Sequence, residues 1–200
     1  MLIHAIIPAS RANGPGLRAV VFVQGCSLAC VNCFNVLTHA FVGEDWPLDR
    51  VMATLLDRHR EHRLDGITFS GGEPMQQASE LAVLIGRLRA ALPDVGIGMF
   101  TGYSRRELEA AEYAIRGGGD PATARSLWAT IQAHLDFAVM GRYNHQQPCS
   151  DPMRSSRNQI LELFSSRHSA ADFQEQTVEI TISASGLTTI TGLLTLGVPA

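Results

Sequence analysis

The amino-acid sequence predicts an α/β fold with a parallel sheet. Short apolar runs alternate along the chain with longer stretches that carry apolar residues on one face. This alternation is typical of strand–helix–strand units, whose consecutive strands lie parallel. A length of 200 residues with 46% hydrophobic content suits one domain with a continuous core.

The predicted elements follow one another in order up to residue 140. Each strand is an apolar run bounded by turn signals, and each helix has apolar side chains at helical spacing, such as Leu81, Leu84 and Leu88. Ser104, with Glu107 three residues later, forms a capping box that starts the third helix. The predicted order is strand 17–24, helix 47–63, strand 66–70, helix 76–92, strand 95–101, helix 104–115, helix 122–134 and strand 136–140.

The end of the chain follows another pattern. From residue 177 the sequence alternates, Thr-Val-Glu-Ile-Thr-Ile and then Leu-Thr-Thr-Ile-Thr-Gly, with a glycine-containing turn between the two runs. Such alternation predicts a β-hairpin. We expect 1–160 to form the core and 161–200 to add a helix and this hairpin, without forming an independent domain. The hairpin is expected to cover an edge of the sheet, with partner docking as the alternative.

Composition excludes several classes of function. The formal net charge is −3 and no basic tract is present, so nucleic-acid binding is not indicated. All sixteen basic residues are arginines, which rules out a Walker A lysine and a Schiff-base lysine. No apolar run reaches membrane-spanning length and the N-terminus lacks a signal-peptide pattern, so we expect a cytoplasmic protein without membrane contact.

Three cysteines, Cys26, Cys30 and Cys33, lie on one short loop after the first predicted strand. An electron carrier of the ferredoxin type uses four cysteines per cubane, and structural zinc takes four protein ligands. Cys149 is distant in the sequence and His39 is expected to be an ordinary loop or helix residue, so a fourth ligand is missing. Three thiolates can hold three irons of a cubane and leave the fourth iron open to a small molecule; zinc is the alternative.

Two further motifs follow the next two predicted strands. Gly71-Gly72-Glu73-Pro74 comes after the second strand and Thr101-Gly102-Tyr103 after the third. The carboxyl ends of parallel strands meet at one edge of a sheet, so the three motifs predict a single site there. Glycines without side chains let a ligand approach the backbone. The alternatives are a strand-to-helix turn opened by Pro74 and simple packing of Tyr103.

These motifs resemble the radical S-adenosylmethionine (SAM) superfamily, and most of all the activating enzymes of the anaerobic (class III) ribonucleotide reductase, a glycyl radical enzyme. The family's Cys-x3-Cys-x2-Cys with an aromatic residue and Asn matches residues 26–35, and its Gly-Gly-Glu-Pro matches residues 71–74. The similarity extends from residue 14 to about 159. The resemblance implies an incomplete β/α barrel of the radical SAM type, with a 4Fe-4S cluster on the three cysteines and SAM bound to it.

The resemblance also implies which residues contact SAM and what the reaction is. The cluster would cleave SAM reductively to a 5'-deoxyadenosyl radical, which takes a hydrogen atom from a glycine of the partner, the large subunit of the reductase. An external donor such as a flavodoxin would supply the electron, because no second cluster or flavin motif is present. For Phe34 a place in the core is the alternative. The implied SAM contacts are Asn32, Cys33 and Phe34 on the adenine side, Gly71, Gly72, Glu73 and Pro74 at the methionyl end, and Thr101 beside the pocket.

Three other segments are left with open roles. Residues 14–18, Gly-Pro-Gly-Leu-Arg, form either a plain turn or a contact with the partner's glycyl loop. Residues 136–141 resemble the family's Asp-x-x-x-Asp-Gly, but Met140 replaces the second Asp. Residues 154–159 resemble its Arg-Gly-Ser-x-Asn-Gln, with Ser155 in place of the glycine, and a solvated surface is the ordinary expectation for an arginine-rich loop.

Two other functions fit the same residues. In one, the radical chemistry acts on another glycyl radical enzyme, on a peptide, or on a small metabolite such as a deazaguanine precursor. In the other, the chain is a non-catalytic iron–sulfur redox or metal sensor with an exogenous fourth ligand.

Overall fold

A six-stranded sheet forms the centre of the computed structural model, which describes residues 1–174, 178–182, 186 and 188–192. The strands are β1 (Ile3–Ser10), β2 (Arg18–Val23), β3 (Gly66–Gly71), β4 (Gly96–Thr101), β5 (Phe137–Met140) and β6 (Ile160–Leu163), and they lie in the sheet in this order. Strands β2 to β5 are mutually parallel, whereas β1 and β6 pair antiparallel at the two edges. The predicted α/β class with a mostly parallel sheet is confirmed.

Four α-helices accompany the sheet in the described part of the chain. They are α1 (Leu48–His62), α2 (Ala78–Ala91), α3 (Arg105–Ala110) and α4 (Pro121–Gln132). Their buried side chains share one core with alternate residues of the central strands, for example Val21, Phe69 and Met99. Because neighbouring residues of a strand point to opposite faces, the residues between these, such as Phe22, Ser70 and Phe100, face away from the helices.

The sequence did not predict the two edge strands. In β1, Pro8 lacks an N–H group and the register with β2 shifts between Ile7 and Ser10, so the alternation that marks a half-buried strand is blurred. Strand β6 has only four residues, with Ile160 exposed. Edge strands are half-solvated and tolerate mixed sequences, which weakens their signal.

The third helix is shorter than predicted. The capping box at Ser104 and Glu107 is present, but α3 ends at Ala110, and Ala111 adopts the left-handed conformation with φ +61°. The turn lets Tyr113 enter the core, where its hydroxyl donates to the carbonyl of Ala124 at 2.5 Å. The prediction of helix to residue 115 is therefore wrong, because burying Tyr113 outweighs the helical spacing of the segment.

The predicted hairpin is present as β7 (Val178–Ile182) and β8 (Thr188–Gly192). It lies at the end of β1, where the Ser10 and Thr191 hydroxyls are 3.0 Å apart and the N–H of Arg11 donates to Glu179. A helix was expected after residue 160, and in the described residues 161–174 the helical segment is one 3-10 turn, Ala170–Phe173. The described helices include none long and apolar enough to cross a membrane.

Candidate functional site

A cavity of about 520 Å³ lies on the sheet face turned away from the helices. Phe22, Ser70, Phe100 and Val139 form its floor. At the carboxyl ends of the strands it is lined by residues of all three predicted motifs, namely Cys26, Cys30, Cys33, Phe34, Gly71, Gly72, Glu73, Thr101 and Gly102. The three loops that the sequence placed at one edge of the sheet therefore meet around one space.

The cysteine loop leaves β2 through a tight turn. Gly25 has φ +105°, and a Cβ there would lie 2.4 Å from the ring of Phe41. Its N–H donates to the carbonyl of Thr38 at 2.7 Å, which folds the segment after the cysteines back over the loop. Ala29 and Asn32 also have left-handed backbones. The cysteines are half-buried and unbridged.

Their surroundings keep the thiols of Cys26 and Cys30 protonated in the metal-free protein. Burial is the main cause that raises the pKa of Cys26 to about 11, and it raises the pKa of Cys30 as well. Metal binding would therefore release protons, since thiolates are the ligands.

The donor set of three thiolates fits an iron–sulfur cluster. A cubane takes each thiolate on a different iron, and all three cysteines line the same cavity. Among the residues that the structure describes, no three or more His, Cys, Asp or Glu side chains are grouped to hold a metal ion.

The glycines of the second motif bring it against the cysteine loop. A Cβ on Gly72 would lie 2.4 Å from the carbonyl oxygen of Gly25, and one on Gly71, whose φ is +100°, would lie 2.6 Å from the backbone nitrogen of Val23. The N–H of Glu73 donates to the carbonyl of Gly25 at 2.9 Å. The glycines thus allow two backbones to touch, and this contact fixes where the cysteine loop begins.

Glu73 joins the second motif to the third. Its buried carboxylate accepts hydrogen bonds from the hydroxyl of Thr101 and the N–H of Gly102, both at 2.7 Å, and from the N–H of Met75 at 2.9 Å. Burial raises its pKa to about 7 despite these donors. The Glu73 carboxylate is therefore hydrogen-bonded to its own loop and to the third motif.

Gln76 connects the cysteine loop to the third motif, and sequence reasoning missed it. Its side chain accepts from the N–H of Ser27 at 3.0 Å and donates to the Ser27 hydroxyl at 2.7 Å and the Tyr103 hydroxyl at 2.9 Å. Tyr103 is buried, as its packing alternative predicted. No local signal marks such a residue, because its partners are distant in the sequence.

Two predicted SAM contacts lie outside the cavity lining. Asn32 is exposed with a left-handed backbone, and Pro74 is buried as the first residue of a 3-10 turn, Pro74–Gln77. Pro74 thus has the turn role that was its alternative. Phe34 lines the cavity, is 55% exposed and has its ring tilted against that of Tyr143 with centroids 4.7 Å apart, so the alternative that it belongs to the core is wrong.

The opposite end of the cavity is built on a buried arginine. Residues 13–16 line it, and the side chain of Arg18 holds them by donating to the carbonyl of Pro15 at 2.9 Å. The same guanidinium donates to Thr68 and to the carbonyls of Ile67 and Gly96, which joins β2, β3 and β4. Burial lowers the pKa of Arg18 to about 9.

Known proteins resemble this chain over most of its length. Residues 12–162 match the model of a family described as a 4Fe-4S single cluster domain. An anaerobic ribonucleoside-triphosphate reductase-activating protein of Vibrio cholerae is 31% identical over 172 residues, which cover 80% of this chain and 97% of that protein. Proteins of the same name from Salmonella typhimurium and Enterobacteria phage T4 are 36% and 28% identical, over 58% and 78% of this chain and 77% and 90% of theirs.

Proposed function

The chain belongs to the 4Fe-4S single cluster domain family and to the family of anaerobic ribonucleoside-triphosphate reductase-activating proteins, and from this we propose that it activates such a reductase by radical SAM chemistry. The observation that carries the proposal is the meeting of three cysteines, a Gly-Gly-Glu-Pro loop and a Thr-Gly loop around one cavity. The open sheet with edges β1 and β6 agrees with an incomplete β/α barrel, which stays a prediction.

The proposed reaction divides the work between the cofactors and the chain. A 4Fe-4S cluster held by Cys26, Cys30 and Cys33 would supply the electron that cleaves SAM to a 5'-deoxyadenosyl radical, which takes hydrogen from a glycine Cα of the reductase. The chain itself would bind and orient SAM and exclude water from the cavity. Phe22 and Phe100 on the cavity floor present apolar surface to the space in which the reaction would take place.

The size of the cavity supports a small cosubstrate together with a macromolecular target. Small-molecule sites have volumes of about 300–1,000 Å³, and about 520 Å³ lies within this range. A SAM molecule would take much of that space, so the target residue would have to arrive on an extended segment of a partner. We propose the large subunit of the reductase as this partner and a flavodoxin-like protein as the electron donor.

The test is anaerobic reconstitution with iron and sulfide, followed by dithionite and SAM. We expect 5'-deoxyadenosine, and a glycyl radical signal in electron paramagnetic resonance (EPR) only when an anaerobic ribonucleotide reductase is added. Deoxyadenosine without a radical on the reductase would move the target to another protein or metabolite. Absence of deoxyadenosine, with a cluster signal that is indifferent to SAM, would overturn the proposal in favour of a sensor.

A further inference from the structure

The segment 155–159, whose role the sequence left open, holds the loop that follows β5. The side-chain amide of Gln159 donates to the carbonyl of Gly141 at 3.0 Å, and that of Asn158 donates to the carbonyl of Arg142 at 2.8 Å. Two successive carbonyls of the loop 141–143 are thus bound by two successive side chains. This pairing restrains the path of the loop.

The amide of Gln159 is itself held in one orientation. Its oxygen accepts from the N–H and the hydroxyl of Ser155, both at 2.9 Å, and from the N–H of Ser156 at 3.1 Å. With the oxygen occupied by three donors, the nitrogen is left to face Gly141. The segment is therefore bonded to the loop, although Arg157 and Asn158 stay exposed to solvent.

The loop 141–143 in turn contacts the cysteine loop. The ring of Tyr143 packs against the ring of Phe34, with centroids 4.7 Å apart, and Phe34 directly follows Cys33. Arg142 is anchored on the other side by two hydrogen bonds to Glu107, at 2.7 and 2.9 Å. Residues 155–159 therefore reach the residue after Cys33 through one intervening loop.

We infer that residues 155–159 are a positioning element for the iron–sulfur site, which acts by holding the Tyr143 ring against Phe34, the residue that follows Cys33. This inference rests on the cluster assignment made for the proposed function. Contacts just outside the ligands fix the orientation of the ligands and tune the metal affinity of a site. Loss of the restraint should weaken retention of the cluster.

Two neutral substitutions test the element without adding charge. Gln159→Met and Asn158→Ala each remove one donor to the loop; Asn158 is exposed, so its variant keeps the test available if the first does not fold. Gln146→Met is the matched control, since Gln146 is an exposed glutamine that follows the loop 141–143 closely in the sequence.

The first measurement is hydrogen–deuterium exchange on the metal-free proteins. We expect both variants to exchange faster at residues 141–144 and 26–33, by roughly twofold to tenfold, because one ordinary hydrogen bond changes an opening equilibrium by about that factor. Exchange in β3 and in the control variant should match the wild type. Uniformly faster exchange, or none, would overturn the inference.

The second measurement is made on reconstituted protein. We expect a half-time for cluster loss in air that is shorter by about tenfold in both variants. A wild-type half-time in both would overturn the inference. If the wild type holds no cluster, the proposed function fails instead, and the exchange experiment still decides whether the segment holds the loop.

Discussion

The two sides of the cavity edge differ in how they are packed. The cysteine loop is half-buried, and several large apolar side chains within it and just after it are exposed, namely Val31, Phe34, Val36, Leu37, Phe41 and Val42. On the other side Glu73, Thr101 and Tyr103 are buried, with their polar atoms bonded inside the protein. The predicted ligands thus lie on the loosely packed cysteine loop. The tightly packed residues on the other side fix the position of that loop.

Substitution of a cysteine should give the largest effect on activity with little effect on folding. Cys30→Ala removes one of three predicted ligands, so we expect loss of both bound iron and 5'-deoxyadenosine. The loop is half-buried, so the free energy of unfolding of the metal-free protein should change by less than about 1 kcal/mol.

Cys149→Ala is the matched control, because Cys149 does not line the cavity. Iron content after reconstitution and deoxyadenosine yield check both variants. Full activity in Cys30→Ala, or its loss in Cys149→Ala, would contradict the ligand assignment.

An added methyl group at Gly72, on the tightly packed side, should lower both the stability of the fold and the loading of iron. Gly72→Ala places a Cβ 2.4 Å from the carbonyl oxygen of Gly25, so the backbones must separate. We expect a loss of about 1–3 kcal/mol of unfolding free energy, measured by chemical denaturation, together with poorer iron loading.

Gly86→Ala is the control for this change. A Cβ at Gly86, in the middle of α2, meets no atom closer than 3.8 Å, so the variant should gain about 0.5–1 kcal/mol of unfolding free energy and load iron normally. If Gly72→Ala also loaded normally with unchanged stability, the contact between the two loops would not matter.

The buried carboxyl on the tightly packed side should make stability depend on pH. The pKa of Glu73 is raised from 4.5 to about 7, mainly by burial. The folded state then binds more protons than the unfolded state between these values, so the free energy of unfolding falls as pH rises through that window and levels off above it. Relative to Glu73→Gln, the wild type should lose about 1–3 kcal/mol between pH 4.5 and 7. A difference that is independent of pH would contradict this account.

A change on the loosely packed side should have the smallest effect on stability. Phe34→Leu removes a ring that is 55% exposed and paired with Tyr143, so the expected loss is less than about 1 kcal/mol. The same change at the buried Phe69 should cost more, about 1–2 kcal/mol. Equal losses in thermal or chemical denaturation would show that the two sides are not packed differently.

The sequence predicted those parts of the fold that local patterns determine. Buried parallel strands and amphipathic helices have strong periodicity, and the predicted bounds agree with β2 to β5 within about two residues. The edge strands β1 and β6 and the end of α3 were missed, because solvated edges and the burial of Tyr113 depend on tertiary contacts. The motif spacing likewise predicted that Cys26, Gly72 and Thr101 would meet.

The residues whose contacts the sequence did not predict act across long sequence separations. Arg18 joins β2, β3 and β4, and Gln76 joins the cysteine loop to the third motif. Gln159 holds the loop 141–143, which contacts the cysteine loop. Each is a single polar side chain whose partners are carbonyls or hydroxyls far along the chain, and local sequence carries no signal for such a contact. Asn32 and Pro74 show the converse, since a place within a motif did not bring them to the cavity.

The central claim is that three cysteines hold a cubane whose open iron faces the cavity. The most direct measurement is EPR of the reduced, reconstituted protein with and without SAM. The account predicts a 4Fe-4S signal that changes when SAM is added and is lost in Cys30→Ala. An unchanged signal, or a fourth protein ligand to the cluster, would contradict it.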